Sequence, residues 1–271
     1  MRKLFATLRG AYISLIFAIL YLPVAVMIVL SFNESKSYYK WDGFSFAKYE
    51  ALFGNKTIMD ALGTTIVLGL VAAALATIIG TLGCMGMLAM KKKTESAVTA
   101  AANIPLLNAD IVTGVSLMLF FSGIVGRMNS ATLLISHITL IMPYVVLNVY
   151  PKLKQFDKSI YHAALDLGAS PVKAFFKVIL PDIFPGVITG FLLALTLSID
   201  DFTITYFTKG QGLNTLSTLI YTNRVRGILP EYYALTSLMF ITVLIFILVI
   251  QVVNMRSGNN NPAQNRKEKD Y

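Results

Sequence analysis

Six apolar runs constrain the fold of this 271-residue chain more than any other feature. The first run, residues 11–32, contains no charged residue and is long enough to cross a bilayer as a helix. Hydrophobic residues make up 56% of the chain and charged residues only 14%, a composition typical of polytopic membrane proteins. The sequence therefore predicts an all-α membrane protein with six transmembrane helices, at residues 11–32, 60–90, 97–125, 131–150, 183–207 and 232–254.

The distribution of Lys and Arg predicts the orientation of these spans. Six spans place both termini on one side, and that side carries 15 of the 23 basic residues, against 8 on the other. The positive-inside rule then places both termini in the cytoplasm of a bacterial cell, with the chain in the plasma membrane. We therefore interpret the net charge of +9 as an orientation signal and predict no nucleic-acid partner.

One long polar stretch, residues 150–185, separates the fourth and fifth runs. Apolar residues from Phe156 to Leu167 recur at helical spacing, and Gly168 supplies a helix stop in the left-handed conformation. Ser170 and Pro171 then form an N-cap with proline in the first turn, and Pro181 and Pro185 are expected to end this second helix. Periodicity alone leaves two interpretations open, a solvated loop and a docking device.

The same stretch resembles the EAA loop of ABC-importer permeases, in which EAA is followed by a glycine four residues on and then by I-x-LP or a close variant. Ile179-Leu180-Pro181 is such a variant, and His162 stands where the motif has glutamate. The resemblance implies a cytoplasmic coupling helix that docks into a cleft of an ATP-hydrolysing subunit. The residues that it assigns to this contact are His162, Ala163, Ala164, Asp166, Leu167, Gly168, Ala169, Ser170 and Pro181.

Three carboxylates fall inside the predicted spans and away from their ends: Asp110 in the third, and Asp200 with Asp201 in the fifth. At 1.5 Å per residue, Asp110 and Asp200 lie at similar depths, roughly 20 and 22 Å from the cytoplasmic ends. A charge in the hydrocarbon layer costs at least ~2.5 kcal/mol, so such residues mark a pathway or a partner. They either cap broken helices, pair with a basic residue of another subunit, or line a path for a cation.

The cation-path interpretation adds three further residues. Phe202 and Tyr206 supply aromatic faces for cation–π contact with an amine, and Glu231 begins the sixth span on the outer side. Asp110 and Asp201 rank highest as cargo ligands, with Asp200 close behind. Since adjacent helical residues point about 100° apart, the sequence does not decide which of the two neighbouring aspartates faces the pore.

A closer resemblance extends over nearly the whole chain. The stretches NADIVTGVSLML, SHITLIMPYVV, LDLGASPVKAFFKVILP and LTLSIDDFTITYF resemble the second permease subunit of spermidine/putrescine ABC importers. The resemblance implies a MetI-like permease fold in a single domain, residues 1–256, with the coupling loop at about 151–182. The polar residues 257–271 have the composition of a disordered cytoplasmic tail.

That resemblance also implies the function and the partners. The chain would move polyamines into the cytoplasm as one half of a permease heterodimer in the lipid bilayer. Two ATP-binding subunits and an extracellular polyamine-binding protein would complete the importer. The chain is expected to be no enzyme and to hold no cofactor, since it lacks a G-x-x-x-x-G-K-[ST] loop, and ATP with Mg²⁺ would bind to the partner.

Other functions remain open from the residues alone. Within importers the cargo could be another small solute. A proton-coupled secondary transporter would use Asp110 and Asp200 as relays. An intramembrane enzyme with paired aspartates fits less well, because Asp200 and Asp201 cannot converge on one substrate. Asp110 and Asp200 could converge, but no GxGD-like motif supports that pair. His137 lies in the fourth span without a second ligand at metal spacing, so we predict a packed, hydrogen-bonded histidine and no metal site.

Overall fold

The computed structural model describes residues 2–35, 39–223 and 229–258, with side chains described for residues 9–35, 39–223 and 229–245. This part of the chain is nearly all helical. Its helices are α1 (Arg2–Ser31), α2 (Ala47–Gly54), α3 (Lys56–Leu88), α4 (Lys92–Ala102), α5 (Ile104–Leu107), α6 (Asp110–Ile124), α7 (Ser130–Gln155), α8 (Lys158–Asp166), α9 (Pro171–Ala174), α10 (Leu180–Asp200), α11 (Thr203–Thr208), α12 (Leu216–Asn223) and α13 (Glu231–Gly258). A π-helical turn, Phe175–Ile179, joins α9 to α10.

Four helical segments in the described residues are long and apolar enough to cross a bilayer, and two more are apolar but shorter. The four are Arg9–Ser31, Lys56–Leu88, Ser130–Gln155 and Pro171–Asp200, and the two shorter ones are Asp110–Ile124 and Glu231–Ile245. Each of the six overlaps one predicted span, although Pro171–Asp200 begins 12 residues before the predicted fifth span, and two of the predicted spans contain breaks. The count of six spans therefore stays a prediction.

The chain divides into two compact units, Met1–Lys56 with Arg226–Tyr271, and Thr57–Val225. In the first unit, the hydroxyl of Tyr49 lies 2.8 Å from that of Ser31 and donates to Ser237 at 3.4 Å, which links α2 to α1 and α13. The ammonium of Lys48, buried at 6% exposure, donates to the carbonyl of Leu30 at 2.6 Å. These polar contacts stabilise the C-terminal end of α1. The prediction of one permease domain stays untested.

Close packing of α3, α7 and α10 forms the core of the second unit. The sequence predicts a stripe of small residues on α3, and its four members are buried: Ala72, Ala76, Gly80 and Cys84. A Cβ on Gly80 would lie 3.0 Å from Val145 of α7. On α10, a Cβ on Gly186 would lie 2.9 Å from the carbonyl oxygen of Asn148. Small residues thus let three apolar helices approach closely, as is usual in membranes.

The third predicted span is not one helix. Its residues form α4, α5 and α6, with interruptions at Asn103 and at Asn108–Ala109. Pro105 removes a backbone donor near the first interruption, and Asn108 and Ala109 have extended backbone at the second. The fifth predicted span also breaks, because Asp201 is extended and separates α10 from α11. The second interruption of the third span and the break in the fifth span both occur at the predicted intramembrane acids.

The expectation that Pro181 and Pro185 end the second helix of the loop is wrong, since both prolines lie within α10. Helix α9, the π-helical turn and α10 run on without interruption from Pro171 to Asp200. The N–H of Leu180 bonds to the carbonyl of Phe175, five residues earlier. A proline lacks an N–H and disturbs the four-residue ladder, and the wider π-helical turn ends two residues before Pro181.

The predicted tail begins later than expected, since Ser257 and Gly258 belong to α13. The rest of that prediction, residues 259–271, lies outside the described residues.

Candidate functional site

Two helix breaks meet at one cavity in the second unit. Gly114 of α6 packs against α11, and a Cβ on this glycine would lie 3.0 Å from the ring of Phe207. This approach brings the start of α6 close to the end of α10. The cavity has a volume of about 240 Å³ and is lined by Asp110, Leu140, Tyr144, Leu197, Asp200, Asp201, Phe202 and Thr203. The structure therefore gathers all three predicted intramembrane acids around one space, which we call the acid cavity.

Asp201 serves as the cap of α11. Its Oδ1 accepts from the N–H of Ile204 at 3.1 Å, and its Oδ2 accepts from the N–H of Thr205 at 2.8 Å. The Thr205 hydroxyl also donates to Oδ2, at 2.9 Å. The Asp201 side chain is only 6% exposed. A carboxylate that accepts two backbone donors at a helix N-terminus satisfies the broken backbone, so Asp201 has the capping role that the sequence left open.

Asp110 and Asp200 differ from Asp201 in their surroundings. Both residues are exposed, and within the described part of the chain neither carboxylate takes part in a hydrogen bond or an ion pair. Asp110 is the first residue of α6, where the helix dipole favours a negative charge. The geometry therefore presents two carboxylates with open acceptor positions to the acid cavity.

Phe202 and Tyr144 supply the aromatic rings in the lining of the acid cavity, whereas the predicted Tyr206 is not among the lining residues. Phe202 follows the break directly and stacks on Tyr221 of α12, with 3.9 Å between the ring centroids. Its ring also lies 5.4 Å from that of Tyr206. The other predicted residue of this group, Glu231, is the first residue of α13 and belongs to the first unit. It stays a separate prediction.

His137 lies behind the acid cavity and is fully buried. Its Nδ1 is 2.7 Å from the hydroxyl of Ser198, and its Nε2 is 2.9 Å from the hydroxyl of Thr205. The predicted packed, hydrogen-bonded histidine is confirmed. The sequence did not reveal that Nε2 also lies 3.7 Å from Oδ2 of Asp201, because the two residues are far apart along the chain and no motif joins them.

The predicted coupling loop has the expected local structure. Helix α8 begins after Asp157, whose Oδ1 accepts from the N–H of Ser159, and this bond lowers the pKa of the Asp157 carboxyl. Gly168 ends the helix with φ +85°, the left-handed conformation that glycine adopts most easily. Ser170 caps α9 by accepting from the N–H of Lys173. The predicted stop and restart are confirmed as structure.

The coupling loop also presents apolar side chains to its surroundings. Leu167 is 89% exposed, and three other large apolar residues of the loop are more than half exposed: Ile160, Val172 and Phe176. His162, Ala163, Asp166 and Ser170 are exposed as well. Such a surface suits a protein partner better than water.

An ion pair ties α7 to α4 next to the coupling loop. Nζ of Lys154, near the end of α7, lies 2.6 Å from Oε1 of Glu95 on α4. The same ammonium lies 5.0 Å from the ring centroid of Tyr150. The hydrogen bond from Lys154 lowers the pKa of the Glu95 carboxyl below its ordinary value.

Comparison with known proteins agrees with this architecture. Residues 95–257 match the family described as "Binding-protein-dependent transport system inner membrane component". The chain is 32% identical to the spermidine/putrescine transport system permease protein PotC of Haemophilus influenzae, over 93% of this chain and 98% of the relative. It is 34% identical to the putrescine transport system permease protein PotI of Escherichia coli K12, over 82% of each chain.

A solved bacterial alginate ABC transporter in complex with an alginate-bound periplasmic protein has the same fold. The alignment covers 94% of both chains, with a TM-score of 0.68 and 15% sequence identity. The predicted ABC-importer permease fold is thereby confirmed. The chain therefore belongs to the family of inner membrane components of binding-protein-dependent transport systems.

Proposed function

We propose that this chain is the membrane-spanning subunit of an ABC importer that moves spermidine or putrescine into the cytoplasm. The observation that carries the proposal is the acid cavity, where Asp110 and Asp200 present free carboxylates beside Phe202. The relatives named for spermidine and putrescine transport support the same cargo. A proton-coupled secondary transporter is less favoured, since the family depends on a binding protein.

The acid cavity fits the chemistry of a polyamine. Its amines are protonated at neutral pH, as the amine of lysine is, and are joined by flexible methylene chains. Carboxylates bind such ammonium groups through charge-assisted hydrogen bonds, and an aromatic face adds cation–π attraction. Leu140 and Leu197 supply apolar walls for the methylene groups. Without counter-charges, the desolvation cost of a polycation in the membrane core would be prohibitive.

The proposed assembly follows from the family and from the coupling loop. Both termini and the loop lie in the cytoplasm, where the exposed apolar residues of the loop dock on one of two ATP-binding subunits. A second permease subunit completes the pore, and an extracellular binding protein delivers the polyamine. ATP and Mg²⁺ bind to the partner, and this chain supplies no catalytic residue and binds no nucleic acid.

One continuous helix connects the two proposed sites. The segment Pro171–Asp200 begins directly after Ser170 of the coupling loop and ends at the acid cavity. Its 30 residues correspond to about 45 Å at 1.5 Å per residue. A movement of the loop, driven by closure of the ATP-binding subunits, is thereby transmitted to Asp200 as a rigid-body shift. This linkage supports alternating access at the acid cavity.

Uptake of radiolabelled spermidine by the reconstituted complex tests the proposal. Asp110→Asn and Asp200→Asn keep the side-chain shape and remove the charge, so each is expected to lower uptake at least about tenfold, the loss of one hydrogen bond to a charged group. Asp60→Asn, an exposed acid on α3 outside the cavity lining, is the matched control. Wild-type uptake by both cavity variants, at equal amounts of complex, would refute the proposed cargo site.

A further inference from the structure

We propose that His137 is a positioning residue for the acid cavity. Its ring ties the end of α10 to the first turns of α11 and so fixes the break on which Asp200 and Phe202 are presented to cargo. This proposal rests on the proposed function for its transport readout. It concerns a residue outside the cavity lining, and its physical basis is a buried hydrogen-bond network that spans three helices.

The hydrogens of the network can be assigned by counting donors. The Thr205 hydroxyl has one hydrogen, and the 2.9 Å contact with Oδ2 of Asp201 uses it, since an ionised carboxylate only accepts. Nε2 of His137 must then donate to Thr205. A neutral ring leaves Nδ1 as an acceptor, and Ser198 donates to it at 2.7 Å. The neutral Nε2–H tautomer therefore satisfies every group in the chain of bonds.

The network holds the break from both sides. Ser198 lies two residues before Asp200 on α10, and Thr205 lies four residues after Asp201 on α11. His137 on α7 bonds to both, so rotation of either helix about the break would cost a buried hydrogen bond. The carbonyl of Asp201 is held separately by the hydroxyl of Ser217, at 2.6 Å. With Asp201 fixed as a cap, its neighbour Asp200 is left to face the cavity.

Two substitutions of His137 test the hydrogen bonds of its two ring nitrogens one at a time. The amide of glutamine reaches the position of Nε2 and can donate to Thr205, whereas asparagine reaches only the position of Nδ1 and bonds to Ser198. We expect His137→Asn to raise the KM for spermidine uptake about tenfold, with a smaller change in the maximal rate, because one buried bond to the cap is lost. His137→Gln is expected to stay within about threefold of wild type. Ser136→Ala, which removes a buried hydroxyl bonded only within α7, is the matched control.

A second readout does not depend on the identity of the cargo. In the assembled complex, Thr203→Cys places a thiol in the cavity lining, and Cys84, the only natural cysteine of the chain, is buried. A cationic methanethiosulfonate should label this thiol faster than a neutral one because of the nearby carboxylates. His137→Asn is expected to lower that rate ratio at least about threefold, and His137→Gln to preserve it.

The outcomes distinguish the two proposals. If wild-type complex takes up no spermidine but the labelling ratio falls only in His137→Asn, the cargo is wrong and the positioning role stands. If His137→Asn leaves both KM and the labelling ratio at wild-type values, the positioning role is refuted. If neither His137 variant assembles, Thr205→Ser and Thr205→Val test the same bond from α11. Equal labelling ratios in those two variants would also overturn the proposal.

Discussion

Asp201→Asn and Asp201→Ala should destabilise the protein in proportion to the cap that they remove. The carboxylate of Asp201 accepts from two backbone N–H groups and from the hydroxyl of Thr205, and its side chain is 6% exposed. Asparagine retains one acceptor oxygen but loses the charge and the second acceptor. Alanine loses all three bonds. Asp200→Asn, one residue away, removes a charge that has no hydrogen bond or ion pair among the described residues.

The magnitudes follow from these bonds. Loss of an N-cap costs about 1 kcal/mol, and a buried hydroxyl left without its acceptor costs about 1–3 kcal/mol more. We therefore expect Asp201→Ala to lower the free energy of unfolding by about 3 kcal/mol and Asp201→Asn by about 1.5 kcal/mol. For Asp200→Asn we expect a change within about 0.5 kcal/mol, as for an ordinary exposed position.

The assay is unfolding of the purified complex in a denaturant titration, alongside spermidine uptake in vesicles. The Asp201 variants should unfold at lower denaturant concentrations than wild type. Asp200→Asn should lose uptake while its unfolding midpoint stays nearly unchanged. The reverse assignment, with Asp200→Asn unstable and Asp201→Ala as stable as wild type, would show that the cap is misassigned. Equal loss of stability in both would refute the distinction between a capping acid and a cargo acid.

Three further predictions concern other parts of the second unit. Gly186→Val should destabilise the protein by about 1–3 kcal/mol, since a Cβ at this position would lie 2.9 Å from the carbonyl oxygen of Asn148. The measurement is the yield of assembled complex, which should fall. A normal yield would contradict the close approach of α10 to α7. Gly168→Pro should abolish the stimulation of the partner ATPase by substrate, because proline fixes φ near −65° and Gly168 has a φ of +85°. Unchanged stimulation with normal uptake would disprove the docking role of the loop. Glu95 has a pKa below its ordinary 4.5 through the bond from Lys154, so its stabilisation is fully present above pH 4.5 and is lost as the pH falls through the lowered value. Wild type should therefore be more stable than Glu95→Gln at neutral pH and converge with it in acid, as thermal unfolding at several pH values would show.

The coupling loop shows how far local sequence rules reach. The left-handed turn at Gly168 and the cap by Ser170 were predicted correctly because each depends on bonds within a few residues. The continuation of the helix through Pro181 was not predicted, because the rule that proline ends a helix describes an isolated helix. In this protein a π-helical turn precedes Pro181, and α10 packs closely against α7. These tertiary contacts stabilise the helix through the proline.

For the acid cavity too, the sequence predicted some features and left others open. The positions of Asp110, Asp200 and Asp201 inside predicted spans were enough to group these three acids, since charges are costly in hydrocarbon wherever they lie, and the structure places them around one cavity. Periodicity could not separate Asp200 from Asp201, because it fixes angles around a helix and the helix ends between them. The sequence analysis therefore ranked Asp201, which the structure shows as the cap of α11, slightly above Asp200.

The sequence by itself determined that the chain is a helical membrane protein, and where its loop turns, because hydrophobicity, glycine conformation and capping act over one or two turns of chain. Only the tertiary structure decided which carboxylate is free and what holds the break. The partners of His137 lie 61 and 68 residues away, and nothing in local sequence encodes such a pairing. They meet because small residues let α7 and α10 approach closely, so the hydrogen bonds between them are a consequence of packing.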